Sequence, residues 1–167
     1  MLKAYLTNSK NETGRHVRYA LNDVVINKKT VDRLLSLNAQ ANGQTITNYK
    51  SDGLIFSTST GATAYSLSAG GPLVHPGLSS ILVTPICPFM LSSRPILLPP
   101  DCLLTTSFSD DCNIEHAKII IDGQPAWDMN KDDILVIEKA EQPLQLLSVS
   151  STTYFQVLHN KLHWGGK

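Results

Sequence analysis

The sequence predicts a mainly β fold, an antiparallel sandwich-like domain with two short helices, and three observations carry that prediction. Eleven short β-like runs fill most of the 167 residues. Turn signals separate them at spacings of roughly ten residues, the rhythm of a sandwich or barrel. Asn42-Gly43, set between two alternating runs, reads as a type I′ hairpin turn, and Asp122-Gly123 is a second hairpin candidate.

Taken in order, the runs are LKAYL (2–6), VRYALNDVVI (17–26), LLSLNAQA (34–41), QTITNYK (44–50) and GLIFST (53–58). SILVTPI (80–86), PILLP (95–99), CLLTTSF (102–108), AKIIID (117–122), DILVIEK (133–139) and LQLLSVS (144–150) follow. Turn residues such as Gly, Pro, Asn, Asp and Ser lie between most of them. One helix is expected over Ala62–Ala69, beginning just after the Gly61 turn. The other is expected over Thr153–His163, where Tyr154, Val157, Leu158 and Leu162 form an apolar stripe. The N-terminus enters a strand pattern with no lead-in, as a piece of a longer protein would.

Length bounds the chain to one domain or one and a half. Folding at this size buries roughly 70% of the unfolded surface, so no covalent staple is required. Charged residues make up 17%, below the usual quarter, which points to buried polar surface such as a ligand cleft or a subunit interface. Basic and acidic residues balance at 14 each, which argues against nucleic acid as a partner. Cys87, Cys102 and Cys112 are an odd set without CxxC spacing, so neither a disulfide framework nor a zinc site is indicated. There is no apolar run of 18 residues and no signal-peptide pattern at the start, so a soluble, cytoplasmic location is expected.

The stretch DGLIFSTSTGATAYSLSAGGPLVHP (52–76) carries the chemistry. It reads as a strand, a tight polar loop and a helix start. Between Ser57 and Gly71 only Tyr65 and Leu67 are bulky. Small side chains let a flat ligand lie against the backbone, and Tyr65 offers a ring for stacking. Unpaired N–H groups at Thr60-Gly61-Ala62 favour an anion or a polar ligand edge. Asp52 supplies a carboxylate acceptor. The pattern is neither a P-loop nor a nucleophile elbow. The plain alternative is a helix N-cap with a small-residue packing seam.

This stretch resembles the NAD kinase signature DGLxxSTPTGSTAYxxSAGGPxxHP. Four further segments fit in the same order: LNDVVI (21–26), TPICPFMLSSRPILLP (84–99), IDGQ (121–124) and KLHWGGK (161–167). The resemblance covers the chain from about residue 20 onward. It implies the C-terminal, NAD-binding β domain of an NAD kinase, spanning 1–167. That enzyme transfers the terminal phosphoryl of ATP or polyphosphate to the 2′-hydroxyl of the adenosine ribose of NAD, with Mg²⁺ accompanying the donor. It further implies a homo-oligomer.

Residue by residue, the resemblance implies that Asn22 and Asp23 read the adenosine and its ribose diol. It assigns Asp52 to the nicotinamide carboxamide. Thr60, Thr63, Ala64, Tyr65, Ser66, Leu67 and Ser68 form the nucleotide pocket, with Tyr65 as the stacking ring. Arg33 and Lys50 are further contacts, weighed against solvated strand-edge charges, and Gln124 is a further pocket contact. The family's general base lies in a GGDG motif. The 167 residues contain no GGDG, so no catalytic residue and no metal ligand is assigned in this chain. Ser59 stands where the signature has Pro, which suggests a softer loop. Ala62 replaces Ser, and Phe89-Met90 replaces His-Ser. His159 and His163 read as a solvated helix face, and His75 as a turn anchor. Ser92-Ser93-Arg94 is either a phosphate contact or a strand-entry turn. Two other readings compete: a non-catalytic nucleotide-binding or oligomerisation sandwich, and a lipid-kinase relative of similar fold.

Overall fold

In the computed structural model, which describes residues 1–8, 16–31, 33–114, 116–145, 147 and 153–165, two six-stranded antiparallel sheets face one another. The strands are β1 (Leu2–Asn8), β2 (Arg18–Ala20), β3 (Asp23–Lys28), β4 (Leu35–Ala41), β5 (Gln44–Ser51) and β6 (Gly53–Thr58). They continue with β7 (Ile81–Ile86), β8 (Ile96–Leu98), β9 (Leu104–Phe108), β10 (His116–Ile121), β11 (Gln124–Asn130) and β12 (Asp133–Lys139). The first sheet runs β2-β1-β12-β9-β4-β5 and the second β11-β10-β3-β6-β7-β8. One core fills the space between them. Leu2, Leu37, Leu104 and Leu135 enter it from the first sheet; Val24, Ile26, Phe56 and Ile119 enter from the second.

The two sheets are written differently in sequence because they are solvated differently. In the first, burial alternates along β1 and β9, the mark of one wet face. In the second, β6 and β7 are buried along almost their whole length. A second apolar cluster explains this: Val25, Ile55 and Ile86 pack on the outer face with Ala69 and Ile120. A third, Ala62 with Val74 and Leu82, lies beneath the loop after β6.

Several expectations need correction. The run 17–26 is two strands, because Leu21-Asn22 carries the chain from the first sheet to the second. The strand β11 (QPAWDMN) has no strong sequence pattern, because only Met129 of it is buried at the sheet edge. The helix expected over Ala62–Ala69 is a single 3-10 turn, Gly61–Thr63, then α1 (Tyr65–Ser68), broken where Ala64 takes φ −94 and ψ −131. The strand expected at 144–150 falls partly outside the described residues, and its described positions are not strand.

The helix α2 (Tyr154–Leu162) matches its expected span, with Thr153 as N-cap in a capping box with Gln156. Both hairpin turns are as read. Asn42 and Gly43 have φ of 50 and 77, and Asp122 and Gly123 have φ of 46 and 77, as type I′ requires.

Candidate functional site

The site is built on the outer face of the second sheet. β3 alternates so that Val24 and Ile26 enter the main core while Asp23 and Val25 face outward. Beside Val25 lies Ile120 of β10. The loop after β6 rises over these strands and sets Ala64 and Tyr65 opposite Asn22 and Asp23. Together with Asp122 and Gly123 they line a cavity of about 380 Å³. Its floor is aliphatic, its wall carries an amide and two carboxylates, and Tyr65 is 42% exposed at the rim. Such a mix of apolar floor and few polar groups suits a small ligand.

The corner at Leu21–Asp23 is held from two sides. The Asp122 carboxylate accepts from the Leu21 N–H at 2.7 Å, the Asn22 N–H at 2.7 Å and the Asp23 N–H at 3.0 Å. On the other side, the Thr58 N–H donates to the Asn22 carbonyl at 2.9 Å, and the Thr58 hydroxyl to the Leu21 carbonyl at 2.7 Å. The Gly61 N–H returns to the Thr58 hydroxyl at 2.9 Å. Gly61 is required here by space. A Cβ on it would run into the Asn22 carbonyl oxygen, and would stand 2.5 Å from Asn22 C and 2.6 Å from Asn22 Cα.

Asp23 is buried, and its carboxyl is pushed above the usual carboxylate range. Desolvation is the main cause and the neighbouring Asp122 charge the second; a backbone hydrogen bond from Tyr65 opposes them. A buried carboxylate lining the cavity is suited to accepting from a ligand hydroxyl.

The other predicted residues fall elsewhere. The Ser66 side chain is fully buried, with its hydroxyl 2.9 Å from that of Thr84, so it faces the sheet and not the cavity. Thr63 bonds back to the Thr60 carbonyl at 3.3 Å. Thr60 lines a separate cavity of about 210 Å³ with Gly77 and Ser80. Leu67 is half-buried and Ser68 exposed. Gln124 is exposed at the start of β11, one residue beyond the cavity wall.

Arg33 and Lys50 meet at a second cavity of about 360 Å³, with Leu34, Phe89, Asp111 and Ile114. There the Ser36 hydroxyl, and then Lys50 at 3.5 Å, hold the Asp111 carboxyl below its ordinary range. Asp52 stands at the corner where the chain leaves the first sheet for the second, paired with Lys28 at 2.5 Å. Asp23 pairs with Ser57, five residues from Asp52, which puts the two groups about 17 Å apart at a strand rise of about 3.4 Å. Within one chain, therefore, Asp52 stands apart from the cavity at Asp23 and Tyr65.

The departures from the signature have local reasons. The Ser59 hydroxyl bonds the Leu78 carbonyl and lies 2.9 Å from the Ser80 hydroxyl, so this side chain ties the loop down, against the expectation of a softer one. Ala62 is fully buried between Val74 and Leu82, where a hydroxyl would need a partner. Phe89 and Met90 are 70% and 54% exposed. His75 anchors its turn by accepting from the Gly77 N–H at 3.1 Å and stacks edge-on to Tyr154. Gly166 and Lys167 of the closing segment lie outside the described residues. Sequence reading gave no role to Thr58 and read Gly61 as one of the unpaired N–H donors before the helix, whereas its N–H is taken by Thr58; the Asp-Gly turn signal marked Asp122 only as a hairpin residue.

Comparison with known proteins fits this architecture. Residues 21–149 match the ATP-NAD kinase C-terminal domain. An NAD kinase of Geotalea daltonii is 44% identical over 148 residues, covering 89% of this chain and 51% of the relative. An NAD kinase of Syntrophotalea carbinolica is 39% identical over 167 residues, covering 99% and 56%. A yeast NADH kinase solved in complex with NADH superposes with a TM-score of 0.75 at 33% identity, over 82% of this chain and 39% of that one. An NAD kinase from Archaeoglobus fulgidus in complex with ATP gives 0.63 at 25% identity, over 83% and 51%. The chain spans about half the length of the curated relatives it matches. With a match over most of its length and a shared fold, the chain belongs to the NAD kinase family, as a C-terminal domain of that family.

Proposed function

We propose that residues 1–167 are the NAD-binding β domain of an NAD kinase, which transfers the terminal phosphoryl of ATP or polyphosphate to the adenosine ribose 2′-hydroxyl of NAD. The observation that carries this reading is the cavity in which Asn22 and Asp23 face Tyr65 over Val25 and Ile120. An amide beside a carboxylate presents both donor and acceptors to a diol. Tyr65 stacks on a ring lying on the aliphatic floor, and Ala64 leaves room for it. Gln124 follows directly on the wall residue Gly123. In phosphoryl transfer most of the catalysis is positioning and charge neutralisation. This domain's residues bind and orient the acceptor; the base and most donor contacts are assigned to the enzyme's other half. Mg²⁺ travels with the donor phosphates. Among the described residues no three His, Cys, Asp or Glu converge.

Arg33, Lys50 and Asp52 lie outside the Tyr65 cavity in one chain. A homo-oligomer that sets these residues of one copy against the Tyr65 cavity of another would reunite them. The exposed Phe89, Met90 and Leu91 beside the second cavity support self-association. No described helix is long and apolar enough to cross a membrane, and the proposed location is cytoplasmic.

Titration calorimetry with NAD tests the reading. Saturable binding by the chain, lowered by Tyr65→Ala, is the expected result. Binding that is absent, or indifferent to Tyr65, would favour a non-catalytic sandwich.

A further inference from the structure

We propose that Asp122 is a positioning residue for the nucleotide site: its carboxylate, taking three successive backbone N–H groups, sets the orientation of Asn22 and Asp23. This rests on the NAD-binding reading above and adds to it a residue that need not touch the ligand.

The need for Asp122 arises from topology. β2 belongs to one sheet and β3 to the other, so the chain crosses between them at Leu21-Asn22. At such a crossover the ladder partners stop. Buried or half-buried N–H groups must still be paired. One side chain takes all three: Oδ2 accepts from Leu21, and Oδ1 from Asn22 and Asp23, at 2.7, 2.7 and 3.0 Å. The Asp122 N–H returns to the Asp23 carbonyl at 3.0 Å, closing the bracket. Hydrogen bonds to an ionised acceptor are shorter and stronger than neutral ones.

The other type I′ turn shows why the residue is Asp. Asn42 and Asp122 occupy the same turn position, each with positive φ, a conformation both residue types tolerate. Asn42 serves a single N–H, that of Leu103 at 2.8 Å, through its one amide oxygen. Asp122 serves three with two oxygens. An asparagine at 122 would keep the turn but point an NH₂ group at one of those donors. The second charge is not free of consequence, since it sits beside buried Asp23 and raises that carboxyl's affinity for a proton. Asp23 thus meets a ligand hydroxyl as a stronger acceptor than a solvated carboxylate.

The test is Asp122→Asn in the 167-residue chain, with Asn42→Asp as the control turn. Amide hydrogen exchange at Leu21, Asn22 and Asp23 should quicken at least tenfold, with β6 and β7 unchanged. The Asp23 carboxyl should titrate at lower pH, and NAD affinity should fall about tenfold. Asp122→Asn combined with Asp23→Asn should lose less NAD affinity than the two single losses together, because Asp122 acts in part through Asp23. Unchanged exchange at the three amides, NAD affinity within twofold of the parent, or additive losses in the double variant would each overturn the proposal. If the parent chain binds no NAD, the proposed function falls and this inference with it. Should the variant not fold, the unsubstituted chain still decides: the Leu21, Asn22 and Asp23 amides should be protected from hydrogen exchange by the Asp122 carboxylate. Exchange there as fast as in an exposed loop would refute it.

Discussion

Replacing Gly61 by alanine should damage stability and the site together, and the size of the damage can be worked from contacts. The new Cβ would stand 2.5 Å from Asn22 C and 2.6 Å from Asn22 Cα, and nearer still to the carbonyl oxygen. These are backbone atoms, so no rotamer change relieves the clash. Overpacking typically costs about 1–3 kcal/mol. Relief requires the loop to lift, which opens the Thr58–Asn22 and Thr58–Leu21 hydrogen bonds at about 1 kcal/mol each. A loss of about 3 kcal/mol follows, since strain and bond breakage are partly alternatives. For a chain of this size that is a fall in Tm of roughly 6–12 °C.

The comparison variant is Gly43→Ala, where nothing lies within 4 Å of the added carbon and only the φ of +77 is strained. It should cost about 1–2 kcal/mol. Urea denaturation of both, with NAD titration alongside, is the assay. Gly61→Ala losing under about 1 kcal/mol, or no more than Gly43→Ala, would refute the claim that the loop is clamped on Asn22.

Tyr65→Ala should weaken NAD binding by about 1–3 kcal/mol through lost stacking, read by calorimetry. Ser66→Ala should instead cost about 1–3 kcal/mol of stability by orphaning the buried Thr84 hydroxyl, with NAD affinity little changed, since Ser66 faces the sheet. The raised Asp23 carboxyl gains its proton more readily in the fold than in the unfolded chain. Stability should therefore fall as pH climbs from its ordinary 3.8 through the raised folded value, then level off. Asp23→Asn should accordingly be more stable than the parent at pH 7 and alike at pH 3, by urea titration, while binding NAD less well. The 167-residue chain alone should make no NADP from NAD, ATP and Mg²⁺. A 2′-hydroxyl needs a base, whose help is worth about 10²–10⁴-fold, and none is assigned here.

What could be read from sequence was what is contiguous in sequence. Asp52 to Pro76 is one unbroken signature, and the loop that carries Tyr65 lies inside it. The aliphatic runs of β3, β6 and β7 announced strands, and the structure buries them along most of their length. What could not be read was pairing across distance. Asp122 reaches Leu21 over a separation of 101 residues, and only the folded β10–β11 turn brings it there. The break of the 17–26 run was hidden because Leu21-Asn22 interrupts the pattern too briefly to show a change of sheet. β11 was missed because an edge strand with a single buried side chain has little to alternate. The signature grouped Asp52 with Tyr65 because they are near in sequence, whereas β6 holds its two ends apart.

The pairing of β1 with β12 bears on how the chain reaches this structure. Leu2 lies opposite Lys139, and the register runs unbroken to Asn8 opposite Asp133. At synthesis rates of roughly 5–20 residues per second, β1 waits on the order of ten seconds before its central partner exists. Until then it has only the three-residue β2 on one side and an open edge on the other. The first sheet is thus completed last, after the second sheet's β3, β6 and β7 can already have met. Contacts this distant place the domain among slow folders, in the millisecond-to-second range once released. Substitutions in the β1–β12 seam should then hasten unfolding much more than they slow folding.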